Sequence, residues 1–516
     1  MTDERPDLRS GLSATPAGEQ PGEPVPRIGH DEWVARAGER IQTQRMKEQF
    51  GRVHWFVWFA LAVTVLAFVP VLTSDGYIIR VGTDTLIYAL LALGLNVAVG
   101  WAGLLDLAYV AFFGFGAYSY ALVESDKFGQ HWPTYAALPA IAVATGFVGL
   151  VLGLTSWRLT GDYLAIVTLF FAQMFTVFLL NGDKVSLLGG VFGYDPTVDV
   201  TGGPNGIAGV DAFHIGNNQA SPGRAYFWIV LVMAAVVFFF FVLLDDSRPG
   251  RAWRSLREDN LAAELMGMPV DRMKLLAFGL GASVAGLTGS VFAALNFGVY
   301  PQTFDIPFLV TIYSMVILGG AGSLVGVVLG AAAINIPLEA LRPDTSLSGW
   351  TSDGRWLFYG VVVATILVKI RPWRWALGII GGTIALGFAV REIFEAAWPA
   401  TVHGSLLSSS TGQVPSGVMA GFIRHYVLLP TSGETFGKWA FVALMVSVCI
   451  LVIVPWRREV KYCCLPVVIY LAALAWENLL VPESTVTRFM LLGTLLVALM
   501  AVRPQGLLGK HRVEVV

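Results

Sequence analysis

Carboxylates lie in or beside apolar runs of this sequence at Asp84, Asp106, Asp305, Glu339 and Glu477. An acidic side chain is costly in hydrocarbon, and where one is kept it commonly serves an ion or a proton. Asp84, Asp305 and Glu477 fall close to the ends of their runs, where headgroup-level solvation accounts for them. Asp106 opens a Gly-rich segment with Tyr109 just after it. There it can cap orphan N–H groups at a helix start or line a conduit. Glu339 follows Asn335 and Pro337, again near a helix end. Asn96 and Asn296 are polar groups within apolar runs, able to face a pathway or to bond a neighbouring helix. No pair of carboxylates forms a convincing proton relay, and no nucleophile–base set or metal-ligand cluster stands out. GxxxxGK[ST] does not occur; the nearest string, GLLGKH at 506–511, lacks its spacing and hydroxyl. Cys449, Cys463 and Cys464 show no CxxC or Cys/His pairing and read as packing residues. The expectation is a chain that is not an enzyme, without metal or cofactor.

The densest chemistry lies in residues 248–274, RPGRAWRSLREDNLAAELMGMPVDRMK, which carries Arg248, Arg251, Arg254, Arg257, Arg272 and Lys274. A basic loop between apolar segments faces the cytoplasm in a membrane protein. Its interior reads as one short amphipathic helix, with Leu256, Leu261, Leu265 and Met268 at helical spacing and Arg254, Glu258, Asp259 and Glu264 on the polar face. Gly267 and Pro269 end it. Such a helix can be a topology anchor or a plug into a soluble partner.

The elements that must position these residues are membrane helices. Of 516 residues, 55% are hydrophobic and 14% charged, far from the roughly 25% charged of a soluble domain. The net charge of −2 gives no bulk positive field for nucleic acid. The predicted fold is an all-α polytopic membrane protein, a bundle of about 11–14 apolar segments in the lipid bilayer. Those at 85–100, 104–123 and 306–320 are short enough to be half-helices. Basic residues concentrate in alternate loops (Arg158; the central stretch; Arg371 and Arg374; Arg457, Arg458 and Lys461; Arg503, Lys510 and Arg512), which places both termini in the cytoplasm. Residues 1–30 read as a disordered tail and 31–52 as an interfacial amphipathic helix. The long loop between 181 and 224 contains TGGPNGI at 201–207, whose Gly202, Gly203 and Asn205 enforce tight turns. That turn can receive a delivery protein or form a lid over the bundle.

Ordered strings then carry a resemblance: GLLDLAYVAFFGFGAYSYAL (103–122), LTGDYLAIVTL (159–169), TGGPNGI (201–207), SLREDNLAAELMGM (255–268), KLLAFGLGASVAGLTGSVFAAL (274–295), ILGGAGSLVGVVLGAAAI (317–334) and RPQGLLG (503–509). Together they resemble LivM-type permease subunits of bacterial ABC importers for branched-chain amino acids. The resemblance implies a second, LivH-type permease chain, two ATP-binding subunits and an extracytoplasmic solute-binding protein, in a bacterial inner membrane. It also implies that the central stretch is the ATPase-coupling helix, with Arg257, Glu258, Ala263, Glu264 and Gly267 in the coupling positions. Related permeases serve urea, short amides and aromatic acids; an ion-coupled secondary transporter is the reading from a different class. The permease core is expected over 53–370 and a final helix and tail over 488–516. Residues 371–487 depart from the family pattern and read as an insertion or partial duplication, since RWLFYGVVVATILVKIRP at 355–372 already looks like the final helix.

Overall fold

The computed structural model describes residues 55–340 apart from 74, 75, 128, 158, 160, 184, 187–196, 216, 217 and 220–222; beyond them it describes 373–397, 433–453, 458–480 and scattered residues that include 426–428 and 506–508. The sequence expectations for 1–30 and 31–52 lie outside these residues, as do most of the runs at 355–370 and 486–502. The chain divides into two units between Leu66 and Ala67. The division falls within the first helix, α1 (Trp55–Leu72), and the remaining described elements all belong to the second unit.

That unit is helical. Its elements are α2 (Gly76–Asn96), α3 (Tyr109–Glu124), α4 (Thr134–Gly153), α5 (Asp162–Asn181) and α6 (Arg224–Asp245). Next come the short α7 (Arg248–Glu258) and α8 (Asn260–Leu265), then α9 (Val270–Asn296), α10 (Ile306–Gly319) and α11 (Leu324–Ala340). After these lie α12 (Trp373–Ala397), α13 (Gly433–Ile453) and α14 (Arg458–Ala475). Strands among the described residues are two-residue pairs in loops. Seven helices are long and apolar enough to cross a membrane by length and composition, among the described residues. The protein is a multi-pass membrane protein of all-α type.

The run expected at 85–100 is longer than its hydropathy suggests. Arg80 and Asp84 dilute the apolar signal, yet Arg80 Nε and Asp84 Oδ2 sit 3.2 Å apart one turn on from each other. The helix therefore continues through them from Gly76.

Helix α9 is the axis of the bundle and packs against α2, α3 and α4. Small residues permit that closeness. A Cβ added at Gly116 would fall on the backbone of Gly286, and one at Gly289 on the Phe113 carbonyl. The α10–α11 pair meets in the same way, Gly319 against Gly326 and Gly330 against the Met315 carbonyl. One apolar cluster runs through the whole of this core, from Ile79 to Ile334. The outward faces of α4, α5 and α6 stay apolar and exposed at Val143, Phe147, Phe170, Met174, Val232 and Val236, as a lipid-facing wall requires. Helices α12–α14 bury separate apolar clusters, one around Tyr426, Tyr470 and Leu474 and one around Ile366, Ala376 and Ile379.

Candidate functional site

The charged stretch folds as two helices, not the single one its spacing predicts. Ser247 caps α7, its Oγ accepting from the Gly250 N–H at 3.4 Å, and Pro249 sits in the first turn. Asp259 then adopts an extended conformation (φ −155°, ψ 113°) and breaks the helix. Its carboxylate restarts α8 by accepting from the N–H groups of Leu261 (2.8 Å) and Ala262 (3.1 Å). The break decouples the two faces. Leu256 turns inward with Trp253, whereas Leu261, Leu265 and Met266 are 67%, 81% and 85% exposed. The expected common apolar face of Leu256, Leu261, Leu265 and Met268 is thus corrected: Leu256 and Met268 pack against the core, and Leu261 and Leu265 do not. Helix α8 ends in a left-handed turn at Gly267 (φ 79°), where the Gly267 N–H donates to Glu264 O and the Met268 N–H to Ala263 O. Ala263 is buried, and Glu258, Glu264 and Gly267 are exposed.

Two side chains fasten α7 to the bundle. Trp253 is fully buried, donates from Nε1 to Met273 O at 2.8 Å and stacks on Trp101 with ring centroids 6.0 Å apart. Arg257 donates from Nη1 to Gly100 O and, at 3.3 Å, to Ala321 O. Gly100 lies in a π-type turn, Val97–Trp101, that continues α2. Such a turn shifts the backbone ladder and frees a carbonyl for an outside donor. Ala321 belongs to the α10–α11 turn. Gly103 and Gly322 leave room for the arginine, since a Cβ at Gly322 would come within 2.6 Å of Nη1.

Asn96 ties the same two elements together: its Oδ1 accepts from the Gly322 N–H at 2.8 Å, directly over Gly100. From the far end of the chain, Gly506 packs on Gly320, while the N–H groups of Leu507 and Leu508 donate to Leu318 O (2.8 Å) and Gly319 O (3.1 Å). The α10–α11 turn is therefore held by the end of α2, by α7 and by Gly506–Leu508 at once.

The other sequence-marked polar residues separate into two groups. Asp106 is 2% exposed, and its Oδ1 accepts from the Ala108 N–H at 3.0 Å in a turn that precedes α3. Tyr109, also buried, donates from its hydroxyl to Leu91 O at 2.7 Å, a contact for which Gly94 leaves space. Asn296 lies at the opposite end of the bundle, where its Oδ1 accepts from Arg80 Nη2 at 2.7 Å. Beside it is a cavity of about 130 Å³ lined by Arg80, Asp84, Tyr88, Phe292, Asn335 and Glu339 among others. The hydropathy signal alone hid this cavity, because its polar residues come from helices far apart in sequence.

The 201–207 turn sits at that same opposite end. Gly202, Gly203 and Gly206 all have positive φ, and a Cβ at Gly206 would strike Val299 O. Residues Ile207–Ala208 pair antiparallel with Gly298–Val299, just after α9. Thr201 Oγ1 donates to Leu179 O at 2.8 Å and Gln302 Nε2 to Pro204 O at 3.3 Å. Gly203 is buried by this packing and Asn205 stays exposed. Asp199 closes the turn by accepting from the Gly202 N–H and from Lys127 Nζ, each at 2.7 Å. Partial burial works against its charge, but the Lys127 ammonium and the Gly202 N–H hold its carboxyl below the usual carboxylate range. Stability from a depressed carboxyl is present above the unfolded-state value of about 3.9 and is lost as pH falls through the folded one. The Asp199–Lys127 contact therefore contributes at neutral pH, and its contribution fades in acid. Gly206→Val should destabilise the turn by about 1–3 kcal/mol, read as faster proteolysis between 201 and 210 with the helical core intact.

The family model described as "Branched-chain amino acid transport system / permease component" matches residues 77–369. The chain is 34% identical over 308 residues to the high-affinity branched-chain amino acid transport system permease protein LivM of Salmonella typhimurium, covering 55% of this chain and 68% of that one. It is 24% identical over 294 residues to the probable LivM permease of Methanocaldococcus jannaschii, covering 52% and 79%. To the LivH permease of Escherichia coli strain K12 it is 27% identical over 269 residues, covering 49% and 81%. No solved structure matches. The matched region contains α2 to α11 and the Arg257 junction, and on that ground the chain belongs to the family of permease components of branched-chain amino acid transport systems.

Proposed function

We propose that the chain forms, with a second LivH-type permease chain, the pathway for branched-chain amino acids across a bacterial inner membrane. Separate ATP-binding subunits drive it, and an extracytoplasmic solute-binding protein feeds it. The observation that carries this reading is the division of labour between α7 and α8. Trp253 and Arg257 lock α7 to the bundle, while α8 presents Leu261, Leu265 and Met266 to its surroundings. An exposed apolar patch on a short polar-flanked helix fits a groove on a partner. Any displacement of α7 passes through Arg257 to α2 and to the α10–α11 turn, both of which belong to the bundle core.

The charged stretch then lies in the cytoplasm, and Gly506–Leu508, which pack on the same α10–α11 turn that Arg257 holds, lie there too. Residues 53–370 form the transport core. Helices α12–α14, with their own apolar clusters, are peripheral to it. At the outer face Gly202 and Gly203 shape the turn that offers Asn205 to the binding protein. Asn296 and the cavity beside it border the pathway entrance, whereas Asn96, Asp106 and Tyr109 hold the inner framework.

Co-purification of the ATP-binding subunit in detergent, together with labelled-leucine uptake by reconstituted vesicles, tests this. Wild type should retain the ATPase, and Leu265→Asp should lose it with the permease still folded, because the substitution sets a charge in an apolar contact. Uptake should require ATP and be competed by isoleucine and valine. Competition by urea or aromatic acids instead would change the substrate class. Uptake that follows an ion gradient without any ATPase would sink the reading.

A further inference from the structure

Opposite the charged stretch, α3 ends in a group of side chains that the transport reading does not use. Glu124, its last residue, is fully buried, and neither carboxylate oxygen has a hydrogen-bond partner. A buried carboxylate without compensation is costly, and such a group calls for a counter-charge. Histidines and a further acid surround it. His214 Nδ1 lies 3.8 Å from Glu124 Oε2, and His131 Nδ1 lies 2.9 Å from Asp211 Oδ2. His131 Nε2 is 3.5 Å from the exposed Asp126. Ligand-capable atoms of Glu124, His131 and Asp211 all lie within 4.8 Å of one another.

The backbone brings these residues together from separate segments. Ser125 forms an antiparallel bridge with Val210, and the Asp211 N–H donates to Glu124 O at 2.9 Å. His214 is placed by its N–H, which donates to Thr134 Oγ1 at 2.9 Å. The ligand chemistry is one imidazole with two carboxylates, a set that suits Zn²⁺ better than the all-oxygen shells preferred by Ca²⁺ and Mg²⁺.

We propose that Glu124, His131 and Asp211 form a zinc site, with water in the fourth position and His214 orienting Glu124 from behind. Zinc bonds of about 2.0–2.2 Å draw the three ligands closer than they stand here, and His131, on an exposed loop, is the one able to move. The ion neutralises Glu124 and staples the loop after α3 to the segment that continues from the 201–207 turn. It is a structural clasp, and its chemistry is independent of the transported solute.

The test uses the full-length chain, purified without a polyhistidine tag and carrying Cys449→Ser, Cys463→Ser and Cys464→Ser to remove competing thiols. After equilibration with micromolar free Zn²⁺ and desalting, elemental analysis should find about one zinc per chain, and Zn²⁺ should raise the Tm. His131→Ala, at an exposed position, should keep the fold and weaken zinc binding by about tenfold or more. The near-isosteric Glu124→Gln should do the same. Absence of bound zinc in the Cys-free parent overturns the proposal. So does zinc retained at parent affinity by His131→Ala, which would put the ion elsewhere.

Discussion

Arg257→Gln should cut ATP-driven uptake sharply while the ATP-binding subunit stays bound. Glutamine is too short to reach the Gly100 and Ala321 carbonyls and offers no charge to them. A hydrogen bond from a charged donor contributes about 1.5–3 kcal/mol, so losing the junction corresponds to a fall in transport of roughly 30-fold. Helix α7 remains seated through Trp253, its bond to Met273 O and its stack on Trp101. The exposed apolar face of α8 is therefore unchanged. Uptake by vesicles and pull-down of the ATPase, measured on one preparation, separate the two effects. If both fall together, Arg257 supports the fold of the stretch and transmits nothing.

Gly116→Leu should prevent the bundle from forming. At Gly116 the backbone of α3 runs against that of α9 so closely that even a Cβ would land on Gly286. Ser290, which donates to Gly286 O at 3.1 Å, lies in the same seam. Overpacking a tight core costs about 1–3 kcal/mol where side chains can give way. Here the obstacle is backbone, so the loss sits at or beyond the top of that range. Size-exclusion chromatography in detergent reads the outcome: monodisperse wild type against aggregated or absent Gly116→Leu. Gly378→Leu on α12, where nothing lies within 4 Å of an added Cβ, should purify normally. Equal yields of the two variants would refute the packing account.

Helix positions were legible because membrane helices announce themselves by composition. The charged stretch was legible in place and character but not in form. Nothing in its spacing shows that Asp259 prefers to cap α8 over continuing α7, which is a local contest between side chain and backbone. Asn96 could be marked as an oddity in an apolar run, but its partner, the Gly322 N–H, comes from the other half of the core. The π-type turn at Val97–Trp101 has no sequence signature, and without it the Gly100 carbonyl would look satisfied. The Glu124, His131 and Asp211 group was missed for a related reason. Its members are spread over a helix end and irregular segments, and no metal-binding spacing connects them.

The bonds from Leu507 and Leu508 to the α10–α11 turn have a consequence in time. That turn leaves the ribosome long before the residues that cap it, with α12–α14 made in between. At about 5–20 residues per second the wait is of order ten to forty seconds. During it the Leu318 and Gly319 carbonyls lack these donors, and the junction with Arg257 is assembled around an unfinished turn. The described helices α12–α14, made before Gly506–Leu508, thus lengthen the interval in which the nascent chain leaves this turn to water or a chaperone.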